Sequence, residues 1–178
     1  MRDAVGIRPA GGCRAGELEG LARVLIDCVL GGASVSFMPP LSLERAVDFW
    51  RGVCASAVRG ERVLLVAEAD GKVLGTVQLL LAMPENQPHR AEIAKMLVHR
   101  GARHRGVGAA LLAAAEYAAR AAKRTLLTLD TASAEAERLY SRAGWQRCGR
   151  IPGYALLPDG RPCDTTIFFK TLGPRSGV

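Results

Sequence analysis

The residues best suited to chemistry stand in one short run, Arg103-His104-Arg105-Gly106-Val107-Gly108, after an apolar strand pattern from Ile93 to Val98 and before a helical run from Ala109 to Ala122. Glycines let the backbone come close to a phosphate, the first amides of a helix lack partners within it, and the helix dipole favours negative charge there. Arg103 and Arg105 add fixed cations, so the run reads as a pyrophosphate cradle, with His104 either a further contact or a solvated loop residue. The glycine spacing narrows the ligand. A dinucleotide site wants Gly-x-Gly-x-x-Gly, and Leu111 stands where the third glycine belongs. A nucleotide P-loop wants Gly-Lys-Ser or Gly-Lys-Thr, and here Val107 and Ala109 follow the two glycines. What remains is Arg-x-x-Gly-x-Gly between a strand and a helix, with a bare tight turn as the alternative.

Two carboxylates could serve as proton acceptors. Glu92 lies among apolar residues near the start of the central strand, and Asp130 closes the next strand at its carboxyl edge, where ligands gather in open α/β sheets. A salt-bridged Glu92 and an Asp130 that caps the following loop are the structural alternatives. Strand alternation puts Glu92, Ala94, Met96 and Val98 on one face and Ile93, Lys95 and Leu97 on the other, unless a bulge intervenes.

The elements that must position these groups read as one α/β domain over residues 1–172, with 173–178 a tail. Val5 to Pro9 is a short strand, Glu17 to Leu30 has apolar residues at helical spacing, and a loop with Gly31-Gly32 and Pro39-Pro40 leads to a second helix near Leu43 to Val58. Asp70-Gly71 between the β-rich runs Arg62 to Ala69 and Val73 to Leu81 predicts an antiparallel hairpin. After the central strand, Ala91 to Val98, come a strand at Thr125 to Leu129, a helix at Ala134 to Ala143 stopped by Gly144, and strands at Trp145 to Arg150 and Asp164 to Lys170.

Composition limits the classes of function. At 178 residues, 49% apolar and 23% charged, the chain is long enough for one full core and short for two domains. Leu18 to Leu30 is interrupted by Glu19, Arg23 and Asp27, and no leader pattern precedes it, so neither a membrane span nor a signal peptide is expected. Cysteines 13, 28, 54, 148 and 163 are odd in number and never form Cys-x-x-Cys, which fits a reducing cytoplasm and core or surface thiols. His89, His99 and His104 have no ligand spacing, so no metal is expected. The formal charge of +7 is spread along the chain without interleaved aromatics, which argues for an anionic small molecule rather than a nucleic acid.

Arg103, Gly106 and Gly108 in their strand-to-helix context resemble the acetyl-CoA motif of the Gcn5-related N-acetyltransferase (GNAT) superfamily, and the element order resembles that superfamily from Ala4 to Leu172. Within it, Val35-Ser36-Phe37-Met38-Pro39-Pro40-Leu41-Ser42, Ala91 to Val98, Leu129-Asp130-Thr131 and Ile151-Pro152-Gly153-Tyr154 through Phe169-Lys170-Thr171-Leu172 are similar to the tabtoxin resistance protein group. The resemblance implies a mixed central sheet of about seven strands flanked by about four helices. It also implies direct transfer of an acetyl group from acetyl-CoA to a small-molecule amine, a toxin or antibiotic among the candidates, without a covalent enzyme intermediate or a metal.

Carried over residue by residue, the resemblance places the acetyl and pantetheine contacts on the backbone of Met96, Leu97 and Val98, and the pyrophosphate on Arg103, His104, Arg105, Gly106, Val107, Gly108 and Ala109. Glu92 and Asp130 match the acid/base pair of the tabtoxin group. Tyr140 matches the superfamily tyrosine that protonates the departing thiolate, with packing of helix on sheet as its other reading. Phe37, Met38 and Tyr154 are candidate walls of the acceptor pocket, whereas Trp50 reads as helix core. Acidic walls favour a cationic amine but leave antibiotic, amino acid, polyamine and protein terminus open. A non-catalytic acyl-CoA sensor of the same fold is the alternative function, and a homodimer is compatible with the superfamily.

Overall fold

The structure, a computed structural model, describes residues 5–10 and 14–173. Residues 174–178 of the expected tail, and Cys13, lie outside the described residues. The chain runs through β1 (Gly6–Pro9), α1 (Ala15–Leu30), α2 (Leu43–Val58), β2 (Arg62–Ala69), β3 (Lys72–Leu80), β4 (Arg90–Val98), α3 (Val107–Ala121), β5 (Leu126–Thr131), α4 (Ala134–Arg142), β6 (Gln146–Leu156) and β7 (Pro162–Thr171). The seven strands form one sheet in the order β1-β2-β3-β4-β5-β7-β6. Every neighbouring pair is antiparallel except β4 with β5.

Local chemistry explains most of the boundaries. Ser42 accepts from the Arg45 amide and so starts α2, and Ser133 accepts from the Ala136 amide and starts α4. Asp70 and Gly71, both at positive φ, make the tight turn that lays β2 on β3. The last hairpin is longer than its sequence suggests. The expected strand stops at Arg150, yet β6 is an edge strand that continues to Leu156 and absorbs Pro152-Gly153-Tyr154 as a bulge between the Ile151–Thr165 and Ala155–Cys163 pairs. Asp164 holds that bulge by accepting from the Gly153 amide at 2.9 Å and pairing with Arg150 Nε at 2.8 Å.

Two apolar cores sandwich the sheet. On one face α1 and α2 bury Leu21, Leu25, Trp50 and Val53 against Leu64, Val66 and Leu97. On the other, Leu111, Leu112 and Ala115 of α3 join Tyr140, Trp145 and Phe168 over Leu79, Ile93, Leu127 and Leu129. Trp50 is fully buried, as its helical spacing predicts. Cys28, Cys148 and Cys163 are free thiols, but Cys54 is disulfide-bonded, so the cysteine pattern no longer bears on the compartment. Among the described residues, no helix is long and apolar enough to cross a membrane, and no group of three or more His, Cys, Asp or Glu is placed to hold a metal ion.

Candidate active site

The site begins where two parallel strands part. β4 pairs with β5 only through Arg90–Leu126, Ala91–Leu127 and Glu92–Thr128, and beyond these the strands diverge, leaving Ala94 to Val98 and Leu129 to Thr131 facing a gap. β4 carries a bulge at the same level. Its register with β3 passes from Gln78–Ala94 to Thr76–Leu97, so Val77 alone opposes Lys95 and Met96, and Lys95 takes φ +48.

The bulge overturns the simple alternation expected for this strand. Leu97 turns to the α1–α2 core, while Met96 and Val98 pack with the α3 core that holds Ile93. The bulge also frees backbone groups. His99 donates to Leu74 O at 2.9 Å, which makes those two a hydrogen-bonded pair, so Val98 points its own N–H and C=O away from β3. The Val98 carbonyl already accepts from Cys28 Sγ at 3.6 Å and from Arg103 Nε at 3.3 Å, which leaves its N–H as the donor toward the gap.

β4 then runs through one 3-10 turn, Arg100 to Ala102, into the glycine loop. His104 takes φ +58 and Gly106 φ +81, and Gly106 caps α3 without any side-chain bond. Ala110 is the first amide to bond back, to Gly106 O, so the amides of Val107, Gly108 and Ala109 have no partner within the helix. No acidic residue stands in the first turn of α3. A Cβ on Gly108 would lie 3.3 Å from Leu139 Cδ2, so this glycine lets α4 approach the start of α3. These features suit a pyrophosphate. His104 Nε2 sits 3.5 Å from Glu135 of α4 with both side chains exposed, and Arg103 is anchored to the strand through Nε.

The candidate catalytic groups flank the gap from opposite faces. Asp130 shares a face with Glu92, Thr128 and Arg90, and its Oδ2 accepts from Thr165 Oγ1 at 2.8 Å. Tyr140 lies on the other face, 3% exposed, with ring centroids 5.9 Å from Trp145 and 5.8 Å from Phe168. Burial, and then the Asp130 carboxylate, push the Tyr140 hydroxyl well above its ordinary pKa, so it holds its proton and feels Asp130 across the sheet edge. Glu92 stands differently: Arg90 Nη1 lies 3.5 Å from its Oε2 and also donates to Thr128 Oγ1 at 2.9 Å.

The expected acceptor walls are only partly assembled. Phe37 is half-buried, packed edge-on against Phe49 at 5.0 Å with Arg45 over its ring, which makes it more core than wall. Met38 and Tyr154 are exposed, one on the α1–α2 loop and one on the β6 bulge. Ser34 Oγ, from that same loop, donates to Leu156 O at 3.0 Å and ties the two segments together. A cavity of about 320 Å³ between Leu30, Pro39, Leu157 and Arg161 is lined by none of the predicted acceptor residues.

Sequence reasoning missed Lys95 as a member of the site. It donates from Nζ to Ser36 Oγ at 3.0 Å, and burial lowers its pKa while Asp130 raises it. Its signal, a lysine inside an apolar strand, was visible, but strict alternation set it on the face opposite Glu92.

Comparison with known proteins agrees with this geometry. The Acetyltransferase (GNAT) family profile matches residues 32–145. A protein of Azospirillum brasilense, described as an uncharacterized N-acetyltransferase in the hisH-hisA intergenic region, is 31% identical over 140 residues, 78% of either chain. The crystal structure of a ribosomal-protein-alanine N-acetyltransferase from Brucella melitensis superposes with TM-score 0.79 at 25% identity, covering 94% of this chain and 99% of its own. A GNAT superfamily phosphinothricin acetyltransferase from Sinorhizobium meliloti, solved with acetyl-CoA, superposes with TM-score 0.78 at 20% identity, covering 98% and 95%, and bears on the fold alone.

Proposed function

This chain belongs to the acetyltransferase (GNAT) family, and from that premise we propose that it transfers the acetyl group of acetyl-CoA directly to the amine of a small molecule. The observation that carries the reading is the gap between β4 and β5. It opens at the β4 bulge and leads to the free amides at the start of α3, so two sets of backbone donors, one on β4 and one at the helix start, fit a thioester with its pantetheine arm and its pyrophosphate. Acetyl-CoA, when bound, supplies an acetyl group already activated as a thioester.

Each residue then has a stated task. Met96 and Val98 offer backbone amides to the acyl oxygen and to the pantetheine arm, and Leu97 anchors that stretch in the α1–α2 core. Arg103, Arg105 and the amides of Val107, Gly108 and Ala109 hold the pyrophosphate beside Gly106, with His104 at the rim. Asp130 takes the first proton of the acceptor ammonium, Tyr140 gives its proton to the sulfur as the C–S bond breaks, and the second proton the nitrogen loses on becoming an amide returns the phenolate to its neutral form. Their placement on opposite faces supports this division, because the amine adds to one face of the planar acyl group while the sulfur leaves along a different bond of the resulting tetrahedral carbon, so base and acid serve separate positions. Glu92, whose charge Arg90 offsets, is assigned a supporting role at the point where the strands part. A small-molecule acceptor, a toxin or antibiotic among the candidates, agrees with the segments that resemble the tabtoxin resistance group.

The direct test is the melting temperature with acetyl-CoA and, in parallel, with dephosphorylated CoA. At about a hundredfold over the dissociation constant, ligand stabilises by roughly 2.7 kcal/mol, or roughly 5–11 °C in a domain of this size. A shift that weakens for the dephosphorylated form, followed by thiol release on addition of amines, supports the reading. A shift without turnover points to the sensor, and no shift ends the acetyl-CoA reading.

A further inference from the structure

The two strands that part to form the gap, β4 and β5, carry four charged side chains, Arg90, Glu92, Lys95 and Asp130, two of each sign. Glu92 lies 3.5 Å from Arg90, so that pair is already neutral, and the charges left facing an incoming molecule are Asp130 and Lys95. Asp130 is exposed and holds the hydroxyl of Thr165. Lys95 is half-buried, and its hydrogen-bond partner among the described residues is the neutral hydroxyl of Ser36. An ammonium partly withdrawn from water with one neutral partner is under-compensated, and a ligand anion would complete it. Burial lowers the Lys95 pKa and the Asp130 carboxylate opposes that fall, which places the two groups within electrostatic reach of each other across the gap.

The position of Lys95 on the chain strengthens the point. It occupies the bulge itself at φ +48, directly before Met96, so the feature that frees the backbone for the acyl group also aims the lysine toward the α1–α2 loop at Ser36. A site lined by Glu92 and Asp130 alone would suit a polycation. With Arg90 and Lys95 counted, β4 and β5 contribute no net charge, and a polyamine would meet the Lys95 ammonium on entry.

Resting on the acetyl-transfer reading above, we propose that Lys95 is a specificity-determining residue that selects acceptors carrying an acid group beside the amine, with the ammonium end at Asp130 and the acid end at Lys95. The substrate class is therefore a small zwitterionic amine, such as an amino acid or an amino-phosphonate, rather than a polyamine or an amine without an acid.

The test uses matched pairs, free L-amino acids each set against its own carboxamide, with acetyl transfer followed by thiol release in the wild type, Lys95→Met and Lys95→Arg. The wild type should favour the acid member by about tenfold or more in kcat/KM, the effect lying mainly in KM, as for a hydrogen bond to a charged group. Lys95→Met should bring that ratio to about one, and Lys95→Arg should keep most of it. A preference that survives Lys95→Met, or a wild type that uses the carboxamide equally well, overturns the proposal. So does a protein that acetylates none of the acid-bearing amines while acetyl-CoA still raises its melting temperature, and in that case the cofactor reading stands. Only the loss of the acetyl-CoA shift removes both. The melting temperature of each variant with acetyl-CoA separates a misfolded protein from one with altered selection.

Discussion

Tyr140 shows how a single residue can serve packing and chemistry at once. Its ring closes the aromatic cluster with Trp145 and Phe168, and its hydroxyl is kept protonated by burial and by Asp130. Burial and Asp130 keep the phenol in its neutral form, the form that can donate to a thiolate, while making it a weaker acid than an ordinary tyrosine, so the transfer relies on the charge that develops on the sulfur. Tyr140→Phe keeps the ring in place, so turnover should fall about 10²- to 10⁴-fold while the acetyl-CoA melting shift is retained. Steady-state kinetics beside a melting curve decides it, and an unchanged kcat would return Tyr140 to packing alone. The two carboxylates separate at the same scale. Asp130 acts on both Tyr140 and Lys95, whereas Glu92 sits against Arg90. Asp130→Asn should therefore cost about 10²-fold or more in kcat/KM and Glu92→Gln about tenfold or less, a ranking that a reversed result would overturn.

At the scale of elements, the decisive event is that β4 leaves β5 while it stays bound to β3. Gly75 permits that bond to be close, since a Cβ there would lie 2.7 Å from Leu97 O. The turn after β4 is fastened to α1 by Asp27, which accepts from the Arg100 amide at 2.8 Å and from Arg100 Nε at 2.9 Å. Burial works to raise the Asp27 pKa, but those two bonds and the charges of His99 and Arg100 outweigh it and hold the carboxyl below its ordinary 3.8. A carboxyl depressed in the fold adds stability above its unfolded pKa and loses it as pH falls through the folded value. Melting temperature should therefore drop on acidification below about pH 4 more steeply in the wild type than in Asp27→Asn, which should itself melt lower at neutral pH. Parallel slopes would show that Asp27 does not fasten the loop.

For the molecule as a whole, one buried carboxylate adds a polar tie between α3 and the second half of the sheet, beside the apolar core they share. Glu116, 7% exposed, accepts from Trp145 Nε1 at 2.8 Å and from Lys170 Nζ at 2.8 Å, while Lys170 also donates to Ala143 O at 2.6 Å. This node connects α3, the end of α4 and β7, the three elements that frame Tyr140 and the pyrophosphate loop. Glu116→Gln removes the charge and strands Lys170, and should cost about 2–3 kcal/mol, lowering the melting temperature by roughly 5–10 °C. Calorimetry at equal buffer and salt measures it. A shift under about 2 °C would mean that Lys170 escapes to water and that the node is not a fastening.

Much of this was legible in the residues themselves, because helices, hairpins and phosphate loops are set by neighbours in the chain. The second helix runs from Leu43 to Val58 as its spacing implied, Asp70-Gly71 made its hairpin, and Arg103 to Gly108 joined strand to helix. Tertiary structure alone decided the rest. The β4 bulge sent Leu97 to one core and Met96 to the other, the edge position of β6 let Pro152 and Gly153 remain within a strand, and Phe37 went to the helix core. It also brought Lys95 beside Ser36, 59 positions apart in the chain, and Asp130 beside Thr165, 35 apart. Period-2 and period-3.6 patterns carry no information about an inserted residue or a partner from a distant segment. Those depend on the register and divergence of strands, which packing settles only once both faces of the sheet are covered.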